Sequence, residues 1–227
     1  MVNQNDSFIR EVNDELRSDQ MKLIWQRFGI VLLVIAALIV FGTIGKVGYE
    51  YWRDSRSSGS GDAFLAALNL ARENKPEEAA AALSKLEQDG FGAYPVLARM
   101  RAATVQAENG DAAGAIAAFA AIGKDTSIPA AVRNAARLRA AYLMVDTADY
   151  AAVSAEVEEI AVPGNAMRHS AREVLGLVAY RTGDFAKARD WFQQIADDAE
   201  TPRNIANRAR MILDLITASG KAPKAGA

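Results

Sequence analysis

Phe28 to Gly45 reads FGIVLLVIAALIVFGTIG, an unbroken run without a charged side chain, bounded by Arg27 and Lys46. At 1.5 Å per residue the run covers roughly 27 Å, the hydrocarbon thickness of a bilayer. It predicts one transmembrane helix over 28–45. Trp25 and Phe28 before it, and Tyr49, Tyr51 and Trp52 after it, place amphipathic rings at the two headgroup levels. A cleaved secretory signal is the competing reading. It fits less well, because Asp6, Glu11, Asp14, Glu15 and Asp19 precede the run and no small-x-small site follows Val40 before Lys46. Arg10, Arg17, Lys22 and Arg27 lie ahead of the span and Lys46, Arg53 and Arg56 behind it, which favours a cytoplasmic N-terminus by a single charge.

Residues 1–27 carry Ile9, Val12 and Leu16 at helical spacing, with Asp6 or Ser7 available to cap a short amphipathic helix. Behind the span, residues 46–62 read as a juxtamembrane linker, most clearly in RDSRSSGSGD at 53–62, where serine and glycine oppose both helix and strand. From residue 63 to 218 the pattern changes to alanine-rich helical runs interrupted by short turns. Four turns align: Asn74-Lys75-Pro76, Gly110-Asp111-Ala112, Ala148-Asp149-Tyr150 and Gly183-Asp184-Phe185, at offsets of 36, 38 and 35 residues. Five residues after the start of each turn stands Ala79, Ala115, Val153 or Ala188, and nine residues after it Leu83, Phe119, Val157 or Phe192. This period and internal spacing mark paired-helix repeats. A helix pair cannot cover its own apolar face, so neighbours stack, and small residues let the axes approach. Thr201 and Pro202 open one more helix, in the position of a cap, and residues 219–227 lose periodicity and read as a disordered tail. The fold class is therefore all-α: one N-terminal span, then about four helix pairs and a capping helix.

Composition agrees with a folded helical domain, at 51% hydrophobic and 24% charged residues over 227 positions. A net charge of −2 argues against nucleic acid as a partner, which needs a concentrated basic surface. The cluster Arg133, Arg137 and Arg139 reads as a solvated helix face. No disulfide is possible without cysteine. His169 is the only histidine, has no paired nucleophile or carboxylate in sequence, and reads as an exposed or capping residue. Glu77 and Glu78 suit a helix N-terminus, and Glu158 and Glu159 point in different directions on a helix. No metal-ligand cluster, phosphate loop, dinucleotide fingerprint or nucleophile elbow occurs, so no catalytic, cofactor or metal site is assigned and the chain reads as non-enzymatic. The span has no GxxxG pattern, and monomer and dimer both stay open.

Val174 to Pro202, VLGLVAYRTGDFAKARDWFQQIADDAETP, resembles the tetratricopeptide repeat, through Leu175, Gly176, Tyr180, Gly183, Phe185, Ala188, Phe192 and Pro202. In that family the first helix of each unit lines a concave groove. Carrying the register across places Phe64, Leu68, Met100, Tyr142, Leu177 and Tyr180 toward it, with inter-helix core as the competing role for several of them. Such an apolar groove suits an extended or helical apolar segment of another protein.

FIREVNDELR at 8–17, LIWQRFG at 23–29, the span, GYEYW at 48–52 and the alanine-rich repeats occur in the order found in one family. The chain resembles the ancillary subunit of the SecYEG translocon of Gram-negative bacteria, in its alphaproteobacterial branch. The resemblance implies a cytoplasmic leader, a helix in the inner membrane beside Sec translocon subunits, and a periplasmic repeat domain. It further implies a periplasmic prolyl isomerase-like chaperone or unfolded emerging chains as partners. A scaffold for cell-wall synthesis, division or outer-membrane assembly is the alternative.

Overall fold

The computed structural model describes the backbone of residues 3–220 and the side chains of Lys22 and of Trp25 onward. Among the described residues there are helices and turns and no strand. The chain is all-helical, as its patterning predicts. It divides into two compact units, one ending at Ser58 and one starting at Gly59.

In the first unit the backbone is helical from Asn3, within helix α1 (Asn3–Arg72). Inside Trp25–Arg72 an 18-residue stretch reaches a mean hydropathy of 2.7, and none of it is buried by protein. Ile30, Leu38 and Phe41 are 80%, 68% and 72% exposed. The helix is long and apolar enough to cross a membrane. Trp25 and Tyr49 stand about 36 Å apart along the helix axis, and Tyr49 and Trp52 approach to 6.1 Å between ring centroids. The side chains of the leader's Ile9, Val12 and Leu16 lie outside the described residues.

The segment expected as a linker, 46–62, is helical and contains the boundary between the two units. Helix α1 continues through RDSRSSGSGD, and its final turns form the first helix of the repeat domain. Packing within that domain overrides the poor helix propensity of serine and glycine. Ser60 is buried, and its hydroxyl accepts the amide of Phe91 at 2.9 Å. At Gly61 an added Cβ would meet the Tyr94 hydroxyl at 2.8 Å, so any side chain there would displace that ring.

The repeat domain continues with α2 (Pro76–Asp89), α3 (Tyr94–Glu108), α4 (Ala112–Lys124), α5 (Ala130–Met144), α6 (Tyr150–Val157), α7 (Arg168–Arg181), α8 (Phe185–Asp197) and α9 (Arg203–Ser219). The end of α1 meets α2 where Ala67 packs with Leu83 and Leu86; with α3 and α4, α5 and α6, and α7 and α8 this makes four pairs, and α9 packs on α8 and α7. All eight residues of the five-and-nine register are at most 2% exposed, from Ala79 and Leu83 through Ala188 and Phe192. Each core cluster joins one pair to the first helix of the next, as when Ala103, Phe119 and Ile122 meet Ala136 and Ala140. Stability is thereby local and additive along the stack.

Three of the four turns share one backbone device. Asn74, Gly110 and Gly183 adopt φ of +60°, +88° and +85°. The next residue's amide then reaches back to the preceding helix, as Asp111 N–H does to the Gln106 carbonyl at 2.9 Å and Asp184 N–H to that of Ala179 at 2.9 Å. This closes the helix C-terminus in the Schellman manner. Asp111 and Asp184 then cap the following helix by accepting the amides of Gly114 and Lys187. The third turn, at Ala148, has no left-handed residue and is two residues longer, though Asp149 still caps α6 through the amide of Ala152. The irregularity of that unit continues into α6, which ends after two turns in a 3-10 turn (Glu158–Ile160). Of the predicted tail, Ser219 is the last residue of α9, Gly220 caps it at φ +63°, and 221–227 lie outside the described residues.

Candidate functional site

The first helices of the third and fourth pairs and the terminal helix enclose a pocket of about 310 Å³. It is lined by Tyr142 of α5, Glu173 and Leu177 of α7, Phe192 of α8, and Arg208, Met211 and Ile212 of α9. Its floor exists because Gly176 lets α7 approach the Phe192 ring: a Cβ there would stand 2.8 Å from Cε2. Phe192 is 1% exposed and belongs to the core, so the pocket bottoms on rigid packing.

One polar constellation orders this apolar surface. Glu173 is buried, and Arg208 grips its carboxylate in a fork, Nε to Oε1 at 2.6 Å and Nη2 to Oε2 at 2.8 Å. The Tyr142 hydroxyl donates to Oε2 at 3.2 Å. Glu173 raises the affinity of Arg208 for its proton, chiefly through these hydrogen bonds. Burial, then the Glu173 charge, push the Tyr142 phenol up, with Ser170 and Arg208 opposing, so Tyr142 stays a neutral donor. The arrangement ties α5, α7 and α9 together at the rim of the pocket. It offers an apolar cavity with a half-exposed guanidinium edge, and no nucleophile or general base pair. Among the described residues no group of His, Cys, Asp and Glu is placed to hold a metal ion.

The sequence-derived groove residues divide. Tyr142 and Leu177 meet in the pocket. Tyr180 and Leu177 pack on the core cluster around Phe192, where Tyr180 stands edge-on to Phe185 at 5.4 Å. Phe64 and Met100 are half-buried against the cores of the first and second pairs, and Phe64 tilts on Tyr94 at 6.1 Å. Leu68 is half-buried. Glu173, Phe192, Arg208, Met211 and Ile212 complete the pocket and were missed. The acid in the apolar run AREVLGLVA and the arginine in NRARMIL were the available signals.

His169 is not exposed. It is 5% accessible, its Nδ1 lies 2.9 Å from the Thr201 hydroxyl, and burial, then Arg168, lower its pKa. It belongs to a structural cluster that repairs the short third unit. Arg172 donates Nε–H to the Ala161 carbonyl at 3.0 Å, satisfying backbone that α6 leaves open. Arg168 bridges Asp198 at 2.8 Å and Glu200 at 2.5 Å, and Arg172 adds a contact to Asp198 at 3.2 Å. Arg168's hydrogen bonds hold the Asp198 carboxyl far below the usual range. The arginines of α5 are likewise not one solvated face. Arg137 packs its stem over Gly123 and pairs with Glu159 at 2.9 Å, Arg133 is half-buried, and only Arg139 is exposed.

A stack of helix pairs with inward small residues, left-handed turn closures and a terminal helix defines an α-helical repeat scaffold. A family model for the tetratricopeptide repeat-like domain matches residues 22–217, and the chain belongs to that family. No curated protein and no solved structure gives a significant match. The domain is one built for protein interaction, and it is joined to a helix long and apolar enough to cross a membrane.

Proposed function

We propose that the protein is a non-enzymatic inner-membrane scaffold, anchored by residues 28–45, whose repeat domain faces the periplasm as an ancillary part of the Sec translocon. The span contacts a translocon subunit, and the repeat domain holds a periplasmic prolyl isomerase-like chaperone or an emerging unfolded chain. The observation that carries the binding role is the pocket of about 310 Å³ between α5, α7 and α9, large enough for an apolar anchor side chain and open to a segment laid across it. Supporting the membrane role are the apolar stretch, whose large side chains are exposed, and its flanking aromatic rings. The mechanism is tethering: holding two proteins on one membrane patch raises their effective concentration, so a modest groove affinity suffices.

A photo-crosslinking residue at Leu38, which is 68% exposed, tests the anchor's neighbour in living cells. Translocon subunits in the adducts are the expected result. Cell-wall synthases or division proteins in their place would sink the translocon reading in favour of an envelope coordinator. Sidedness is checked on the same chain, which has no native cysteine. Ser219→Cys reacts with an impermeant maleimide in intact spheroplasts and Asn3→Cys does not; the reverse labelling would invert the topology.

A further inference from the structure

Helix α9 packs inward through Ile205, Ala209, Ile212 and Ile216, which recur at helical spacing. The rest of the helix surface carries Asn207, Asp214 and Ala218 across from that stripe, Arg210 on one flank and Met211 and Leu215 on the other, and these six line one shallow depression of about 520 Å³. Met211 and Leu215 are 56% and 50% exposed there. A cap that ends a repeat stack is expected to be polar outside, yet this one repeats the apolar spacing of an internal helix. Among the described residues neither Arg210 nor Asp214 has an ion-pair partner.

We infer that the outer face of α9 is a self-association surface that receives α9 of a second copy, antiparallel, about a two-fold axis at the level of Ile212. The charges select this occupant. Under such an axis each flank of the helix meets the same flank of its partner with direction reversed. Arg210 of each copy then stands opposite Asp214 of the other, and two unpaired charges per chain become two reciprocal ion pairs. The same operation orders the apolar side chains as Leu215 of the partner subunit, Met211, Met211 of the partner subunit and Leu215. Their spacing is about 3 Å along the axis, a ridge that interdigitates without like residues colliding. Asn207 of one copy falls beside Ala218 of the other, where the small side chain allows close approach. A parallel two-fold arrangement sets each flank against the opposite one, so Arg210 and Asp214 face Met211 and Leu215 and no charges pair. Six residues a side is less than the roughly 800 Å² per partner of a standard interface. The contact is therefore weak in dilute solution and strengthened when both copies share a membrane.

The test uses the full-length chain in membranes, where the absence of native cysteine lets each added thiol report one position. Two chains are co-expressed, one Asn207→Cys and one Ala218→Cys, and treated with a short bismaleimide. The expected product is the mixed dimer alone, because equivalent positions on the two copies are more than about 15 Å apart in the antiparallel register. Arg210→Glu on both chains lowers the mixed dimer by about tenfold, and Arg210→Asp with Asp214→Arg restores it. The inference is overturned by same-position dimers, by adducts to a different protein, by a mixed dimer no stronger than that of Leu97→Cys on helix α3, or by indifference to the charge changes.

Discussion

Glu173 and Arg208 are unequal partners, and their substitutions are expected to be unequal. The Glu173 side chain is 6% exposed and that of Arg208 is 49% exposed. Arg208→Met keeps the aliphatic stem but removes the hydrogen bonds of 2.6 and 2.8 Å, leaving a buried carboxylate with the Tyr142 hydroxyl. Breaking a fully buried pair costs about 3–5 kcal/mol. Water entering where the half-exposed guanidinium stood reduces that to about 2 kcal/mol. For a repeat domain of this size the melting temperature then falls by about 4–8 °C. Glu173→Gln retains the volume and an acceptor for Tyr142, and frees an arginine that solvent already reaches, so its cost is about 0.5–1 kcal/mol. Thermal unfolding of both variants at pH 7.5 is the assay. A Glu173→Gln penalty equal to or larger than that of Arg208→Met would refute the reasoning.

Three further outcomes are expected. Gly110→Ala and Gly183→Ala force φ near +85° on a residue with a Cβ. Each should lower stability by about 1 kcal/mol in thermal melts, whereas Ala148→Gly gains nothing; stabilisation by Ala148→Gly would contradict the reading of the third turn. His169, whose pKa burial lowers, contributes stability that is complete above its unfolded pKa near 6.5 and is lost as pH falls below it. His169→Asn should therefore flatten the melting temperature between pH 7.5 and 5, and an unchanged slope would remove His169 from the acid response. Tyr180→Ser, which strips the edge contact to Phe185, should cost several degrees of melting temperature, while Tyr142→Ser should cost less and weaken partner capture more; the opposite order would exchange their roles.

The helical register was legible because it is a packing rule repeated along the chain. Ala79, Ala115, Val153 and Ala188 are small or β-branched where axes cross, and the apolar residue four positions later fills the pair's core. The apolar stretch was legible as a candidate span because eighteen uncharged positions have the length and composition that crossing a membrane requires. What local propensity misread was decided by tertiary contacts. Ser60 and Gly61 oppose a helix in isolation, yet Phe91 and Tyr94 need a hydroxyl and a bare Cα at those places. His169 looked alone because Thr201 and Asp198 arrive from about thirty residues away. The pocket was half legible for the same reason. Tyr142 and Leu177 follow from the register of first helices, while Arg208 and Met211 come from the terminal helix, which that register does not reach.

The most direct measurement is crosslinking in living cells from a photo-reactive residue at Tyr142 in the pocket, compared with one at Leu97 on helix α3. Both positions are similarly exposed, at 42% and 43%. Adducts with a periplasmic chaperone or a secreted chain that are enriched at Tyr142 over Leu97 are the predicted result. Equal adducts from the two positions, or none from Tyr142, would contradict a scaffold that binds through this pocket.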